Sequence, residues 1–275
     1  MRCAWDTLLG LIPQRMRQEL DRLGQAEARE LRLRLGKPPE LVLGTDSSWL
    51  SGAVMQEELQ FVVNAASRYS PWAAQTISKG YLSTAGGHRI GLCGEAVVQQ
   101  GVVTGIRQIH SLCIRIARDF PEWGRELETL SGSLLIAGAP GWGKTTLLRN
   151  VARWAAQQES VSVVDERGEL FPQGFSQGAR MDVLTGCPKR EGIEWVLRTM
   201  GPSCIAVDEI TAPEDAAALL EAAGCGVRLL ATVHAVSSED LLRRSAYRPL
   251  VQQKVFDTWV FLKPNQHYQL ERVAK

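Results

Sequence analysis

No C-x-x-C pair occurs anywhere in the 275 residues, and no histidine stands at zinc-finger spacing from a cysteine. Cys3, Cys93, Cys113, Cys187, Cys204 and Cys225 are scattered singly, which argues against a zinc module or a disulfide framework. They read as reduced, buried thiols acting as small apolar residues, so any metal held here should be a hard ion bound by oxygen. Net charge is equally scarce. The 31 Lys and Arg against 30 Asp and Glu leave +1, and no global field recruits polyanions. Long apolar runs are also missing: the longest uncharged stretch, Thr129 to Gly143, is 15 residues broken by Gly and Pro, too short to cross a bilayer. Asp6 stands just before the first apolar stretch and no small-residue cleavage pattern follows, so a signal peptide is not expected. The chain reads as cytoplasmic. It holds no internal repeat and no low-complexity tract.

What remains is an ordinary globular composition, 45% apolar and 22% charged, in a length that suits two modest domains. The first, residues 1–120, reads as mixed α/β. Pro13 suits a helix start, with Arg15 to Leu23 running on to Gly24. Leu31, Leu33 and Leu35 alternate with Arg32 and Arg34, the period of a half-buried strand. Gly36-Lys37-Pro38-Pro39 turns the chain into a second strand, Glu40 to Leu43. Helical spacing returns over Glu57 to Tyr69, and Pro71 stops it. Tyr81 to Ile106 reads as a meander of hairpins punctuated by Gly86-Gly87, Gly94 and Gly101, with one more strand over Ser111 to Ala117.

The second domain, residues 121–275, differs in character. Leu134 to Ala137, Ser160 to Val164, Cys204 to Val207 and Val227 to Val233 are short, uninterrupted apolar runs separated by helical or loop stretches. Such strands imply a mainly parallel sheet covered on both faces. The tail reads as a short helix, Glu239 to Arg244, then a hairpin of Val255 to Leu262 and Tyr268 to Val273 turned by Pro264-Asn265.

Gly138-Ala139-Pro140-Gly141-Trp142-Gly143-Lys144-Thr145 fits G-x-x-x-x-G-K-[ST] at every fixed position, after an expected strand and before an expected helix. Glycines let backbone N–H groups turn inward on phosphate oxygens, and the helix N-terminus adds positive potential. The candidate nucleotide-binding residues are therefore Gly138, Ala139, Pro140, Gly141, Trp142, Gly143, Lys144, Thr145 and Thr146. Lys144 is suited to the β- and γ-phosphates of ATP, and the Thr145 hydroxyl to Mg²⁺.

Cys204-Ile205-Ala206-Val207-Asp208-Glu209 supplies the acids such a site needs, at the end of an apolar strand. Asp208 is placed to hold Mg²⁺ through water, and Glu209 to polarise the attacking water. Two more strand ends point to the same edge: Val164 runs into Asp165-Glu166-Arg167, and Val233 into His234, with Ser237 and Ser238 able to cap the next helix. Glu166 and His234 thus join Glu209 as candidate catalytic residues, and which glutamate is the base stays open.

These elements, in this order, resemble the secretion ATPase superfamily of type II and type IV machines, with Asp165-Glu166 as an acidic box, Val207-Asp208-Glu209 as the Walker B strand and Thr232-Val233-His234 as a histidine box. A closer resemblance is to the stage III sporulation protein AA family of endospore-forming bacteria. It is carried by residues 30–39 (ELRLRLGKPP), 86–94 (GGHRIGLCG), 164–169 (VDERGE) and 182–189 (DVLTGCPK). The resemblance implies a homo-hexameric, RecA-like, AAA+-related ATPase. It implies membrane-embedded sporulation channel proteins between mother cell and forespore as partners, and a cytoplasmic location, peripheral at the membrane through those partners. It also implies arginines that reach the phosphates, for which Arg89, Arg107 and Arg115 are the candidates; the alternative for each is a solvated or salt-bridged strand residue.

Two other functions stay open: a nucleic-acid-stimulated RecA-like ATPase, and a nucleotide-gated scaffold with negligible turnover. The basic cluster Arg15, Arg17, Arg22, Arg29, Arg32 and Arg34 is interspersed with Glu19, Asp21, Glu27 and Glu30 and has only Trp5 near it, so it reads as a solvated face and gives no strong nucleic-acid signal. No N-K-x-D string selects guanine, and no L-S-G-G-Q signature marks a transporter subunit.

Overall fold

In the computed structural model, which describes residues 2–3, 5–23, 28–44, 46–67, 80–172 and 175–273, the chain divides into two units. One is Met1–Asp119 with Pro172–Phe175, the other Phe120–Phe171 with Ser176–Lys275. Gly24, Tyr69 and Pro71 fall outside the described residues.

In the first unit a two-residue strand, β1 (Arg2–Cys3), precedes α1 (Trp5–Leu11), which buries Trp5, Leu8 and Leu11. Pro13 stands just ahead of α2 (Gln14–Leu23), where its fixed φ and missing N–H cost nothing. Met16 and Leu20, one turn apart, form the buried stripe of α2. Then come β2 (Ala28–Arg34), β3 (Glu40–Leu43), β4 (Asp46–Trp49), α3 (Gln56–Ser67), β5 (Tyr81–Ser83), β6 (Arg89–Gln99), β7 (Val102–Arg115) and β8 (Arg118–Asp119). β8 pairs with β1, and the other strands form an antiparallel sheet in the order β4-β3-β2-β7-β6-β5.

Period-2 alternation governs that sheet. Leu31 and Leu33 are fully buried, and Leu31 faces Leu41 across one neighbour and Ile114 across the other. On the opposite face Arg32 pairs with Glu30 at 2.7 Å and Arg34 with Glu40 at 2.6 Å. Leu59, Val62 and Ala66 of α3 fall at helical spacing and join the same core. Arg15 grips Glu58 with two bonds, 2.5 and 2.7 Å, tying α2 to α3.

Three details depart from the sequence expectations. Leu35 lies beyond the end of β2 and is 42% exposed, because the chain there leaves the ladder for a single bridge to Val54. Gly94 is not a turn but sits inside β6 at a register shift; a Cβ there would come within 2.6 Å of the Gln108 carbonyl, so glycine lets β7 pass close. The hairpin turns at Gln100 and the expected Gly101, both at positive φ, and the segment from Ser111 is not a separate strand but belongs to the long β7. The thiols also differ from expectation: Cys204 is buried, Cys113 and Cys187 are half-buried, and Cys93 and Cys225 are exposed. Cys93 lies opposite Ser111 in the β6–β7 ladder, and Cys225 caps a helix C-terminus, so neither has a core to enter.

The second unit runs β9 (Leu134–Ala137), α4 (Lys144–Gln158), β10 (Val161–Asp165), β11 (Met181–Thr185), α5 (Lys189–Thr199), β12 (Cys204–Val207), α6 (Pro213–Gly224), β13 (Arg228–Val233), α7 (Ser238–Arg243), α8 (Arg248–Gln252), β14 (Thr258–Leu262) and β15 (Tyr268–Arg272). β11 and α8 are additions to the elements expected from the sequence. The sheet order is β11-β10-β12-β13-β9-β14-β15, parallel from β11 through β14, with β15 antiparallel at one edge. Leu134 and Ile136 pack with Leu147, Leu148 and Val151 of α4. Leu135 and Ala137, pointing the other way, share a core with Ile193 of α5 and Leu219 of α6. Burying both faces requires strands without alternation, and each buried Leu or Ile contributes about 1.5–3 kcal/mol.

From β9 the chain crosses to β10, and β12 and β13 later fill the gap between them, while β14 adds on the other side of β9. The strand order therefore reverses at β9, and its carboxyl end is where an open α/β sheet binds ligands.

Candidate active site

Gly138 follows directly on β9, and its N–H still donates to Val233 O at 3.3 Å, so the loop begins inside the sheet. Gly141 and Gly143 take φ of +78° and +93°, conformations that cost glycine little and other residues much. At Gly143 there is a second constraint: a Cβ would meet the ring of Trp123 at 2.8 Å. α4 then starts at Lys144, with Leu147 N donating to Gly143 O at 2.9 Å. A glycine-rich loop closing on a helix N-terminus in this way offers backbone amides and a positive helix end, the chemistry an anion such as phosphate requires.

Lys144 is only 8% exposed. Its Nζ donates to Ala139 O at 3.1 Å and lies 3.1 Å from His234 Nδ1. Burial pushes the ammonium below the ordinary lysine range, while Asp208 and Glu209 pull it back. A cation held in so little water, on a carbonyl and a ring nitrogen, is poised for an anion.

The acids at the end of β12 are fixed by two threonines. Asp208 Oδ2 accepts from Thr145 Oγ1 at 2.7 Å, and Oδ1 from Thr232 Oγ1 at 2.6 Å. Thr232 Oγ1 accepts in turn from the Glu209 amide at 2.7 Å. That bond helps hold Glu209 at φ +54°, a strained conformation for a residue with a Cβ and one that collects at functional sites. The Glu209 carboxylate is clamped from two sides: Oε1 lies 3.0 Å from His234 Nε2, and Oε2 accepts from Arg167 at 2.8 Å. With Lys144 donating to Nδ1, His234 carries its proton on Nε2 and donates it to Glu209. Tyr247, buried, donates to His234 O at 2.8 Å and fixes the backbone beneath the ring. Lys144, His234, Glu209 and Arg167 thus form one continuous chain.

For a hard divalent cation the donor set fits: a hydroxyl and a carboxylate, all oxygen, already 2.7 Å apart at Thr145 and Asp208. Thr146 lies in the first turn of α4, half-buried. Glu166 joins a different pair, accepting from the buried Lys189 at the start of α5. Its neighbour Asp165 is buried and shapes the following loop, accepting from the amides of Glu169, Leu170 and Phe171 at 2.9, 2.8 and 3.2 Å. Burial raises the Asp165 carboxyl above the usual range in spite of those three bonds.

The candidate arginines belong to the first unit. Arg89 lies over the Tyr81 ring at 4.1 Å, Arg107 donates to Glu95 at 3.0 Å, and Arg115, opposite Arg89 in the ladder, is 3.9 Å from Glu30. Arg167, Thr232 and Lys189 stand in the sequence strings named above without a role of their own, and Trp123 stands in none of them. The signal for the first three was their place at strand tips and helix starts beside the acids.

With this geometry in view, the family profile described as Sporulation stage III, protein AA matches residues 6–270. The chain belongs to that family. It is 35% identical over 272 residues to Stage III sporulation protein AA of Bacillus subtilis, covering 92% of this chain and 89% of that protein, so the motif-based resemblance holds. Two solved structures share the fold. The Legionella pneumophila ATPase DotB gives a TM-score of 0.64 at 18% identity, covering 94% of this chain and 78% of DotB. The pilus retraction motor PilT, solved with bound ADP, gives 0.64 at 15% identity, covering 92% and 79%. The stage III AA chain therefore has the two-domain, RecA-like fold of secretion ATPases. Among the described residues no helix is long and apolar enough to cross a membrane.

Proposed function

We propose that this stage III AA family member is an ATPase that binds MgATP in the Gly138–Thr146 loop and hydrolyses it to ADP and phosphate. The observation that carries the reading is the chain from Lys144 through His234 to Glu209, with links of 3.1 and 3.0 Å. Lys144 counters the charge of the β- and γ-phosphates. Thr145 and Asp208 hold Mg²⁺, which when bound neutralises phosphate charge and orients the reacting groups. Glu209 orients the attacking water; as its oxygen bonds to the γ-phosphorus and the β–γ bridge breaks, the proton passes to the Glu209 carboxylate. His234 connects the two ends, so a change in the partner of Lys144 reaches Glu209. Glu166 is a supporting carboxylate, because Lys189 already occupies it.

Family membership supports a wider role for this activity: energising assembly or operation of a sporulation channel complex, as a cytoplasmic homo-hexamer docked on membrane-embedded channel proteins. Arg89, Arg107 and Arg115 are proposed to supply phosphate contacts there. The nucleic-acid-stimulated alternative draws no support from the basic cluster, since Arg15, Arg32 and Arg34 are each paired with a glutamate.

The test is hydrolysis and binding by the Glu209→Gln and Glu166→Gln variants of the full chain, with and without single-stranded DNA. The reading expects Glu209→Gln to bind ATP and not turn it over. Negligible wild-type turnover with intact binding would favour a nucleotide-gated scaffold, and DNA stimulation would favour the nucleic-acid alternative.

A further inference from the structure

The groups named so far all serve the phosphate end of a nucleotide. Asp208 and Glu209 follow β12 and His234 follows β13, on one side of β9, while β14 lies on the other. A triphosphate whose terminal phosphate points toward those acids leaves its nucleoside directed toward β14 and β15. An aromatic side chain is held on that side. Trp123 Nε1 donates to Gln266 O at 3.0 Å, in the turn between β14 and β15. The outer atoms of its six-membered ring crowd Gly143, where a Cβ would come within 2.8 Å of them. The buried Asn150 of α4 fixes the backbone underneath, donating to Phe120 O at 2.6 Å and Trp123 O at 2.9 Å. The indole is anchored at its N–H, its ring edge and its backbone, yet the residue stays half-buried.

We propose that Trp123 is the nucleobase platform of this site, stacking the base of the bound nucleotide between the glycine loop and the β14–β15 turn. The proposal rests on the triphosphate reading of the loop. A rigid indole offers a large π-face at little conformational cost, and base–aromatic stacking contributes substantially to affinity without hydrogen-bond readout. Gly143 then has two duties, turning the loop at positive φ and giving the ring room to abut it.

The experiment compares MgATP with magnesium tripolyphosphate, which has the same charged chain and no base, by calorimetric titration of the full chain. Wild type should bind ATP at least about tenfold more tightly than tripolyphosphate. Trp123→Ala should lose about tenfold in ATP affinity and leave tripolyphosphate within about twofold, and Trp123→Phe should recover most of the loss. Equal losses for both ligands would show that Trp123 only props the loop, and would overturn the proposal. So would an unchanged ATP affinity, or a wild type that binds the two ligands equally well. If Trp123→Ala does not fold, Trp123→Leu, which keeps apolar bulk without a π-face, takes its place, with the same losses expected and the same results overturning the proposal. A wild type that binds neither ligand removes the triphosphate reading itself, so the two failures are distinguishable.

Discussion

The two sheets of this chain treat charge in opposite ways. On the outer face of the first, Arg32, Arg34 and Arg107 each lie beside a carboxylate of a strand residue, Glu30, Glu40 and Glu95. In the second, the central strands β9 and β12 are apolar along their length, and Lys144, Arg167, Asp208 and Glu209 gather at the strand ends. An antiparallel sheet with one wet face can spread its charges as local pairs in water. A parallel sheet covered on both sides has only its rim for them. The same packing rule that makes the second unit's strands uninterrupted therefore concentrates reactive groups at one edge.

If that contrast is sound, removing a charge at the rim should destroy function, and removing one on the open face should do little. Glu209→Gln should show the largest effect: ATP hydrolysis falls about 10²–10⁴-fold while ATP affinity stays near wild type in filter binding. A Glu166→Gln variant that is dead beside an active Glu209→Gln would exchange their roles. Lys144→Ala should cost about 100-fold in ATP affinity, and near-wild-type binding would break the contrast at its centre.

The same lysine gives a pH test. Burial lowers its ammonium in the free site, and a bound polyanion raises it again. MgATP binding should therefore take up protons at alkaline pH, seen as a dependence of the titration heat on the buffer's ionisation enthalpy. Lys144→Arg, which stays charged, should abolish the uptake.

Smaller still is Thr232→Val, which removes the hydroxyl between Asp208 and the Glu209 amide. It should destabilise the fold by about 1–3 kcal/mol in urea unfolding, because an inward amide loses its acceptor. Arg32→Ala on the open face should sit at the bottom, at about 0–1 kcal/mol with ATP affinity unchanged. A loss of binding there would show that the first sheet's charges are not merely solvated pairs.

How much of this was legible in the sequence follows from the same contrast. The glycine loop, Asp208-Glu209 and His234 could be read because each is a local string at the end of an apolar run. Strand periodicity exposed the first sheet for the same reason. Arg167 and Lys189 could not be assigned, because their partners, Glu209 and Glu166, are 42 and 23 residues away in the chain. Thr232 is polar inside a strand that reads as core. β11 carries little strand signal, since its alternation is weak at a sheet edge, and Gly94 reads as a turn in the sequence whereas a close backbone crossing is what requires it. Local chemistry is written in sequence; pairing across the rim is written in topology.

The most direct measurement is a crystal structure of the full chain with magnesium and a non-hydrolysable ATP analogue. The account predicts three phosphates cupped by residues 138–146, the ion between the Thr145 hydroxyl and Asp208, and the Lys144 ammonium moved off Ala139 O onto the terminal phosphates. Analogue bound elsewhere, or a loop left empty at saturating ligand, would contradict it.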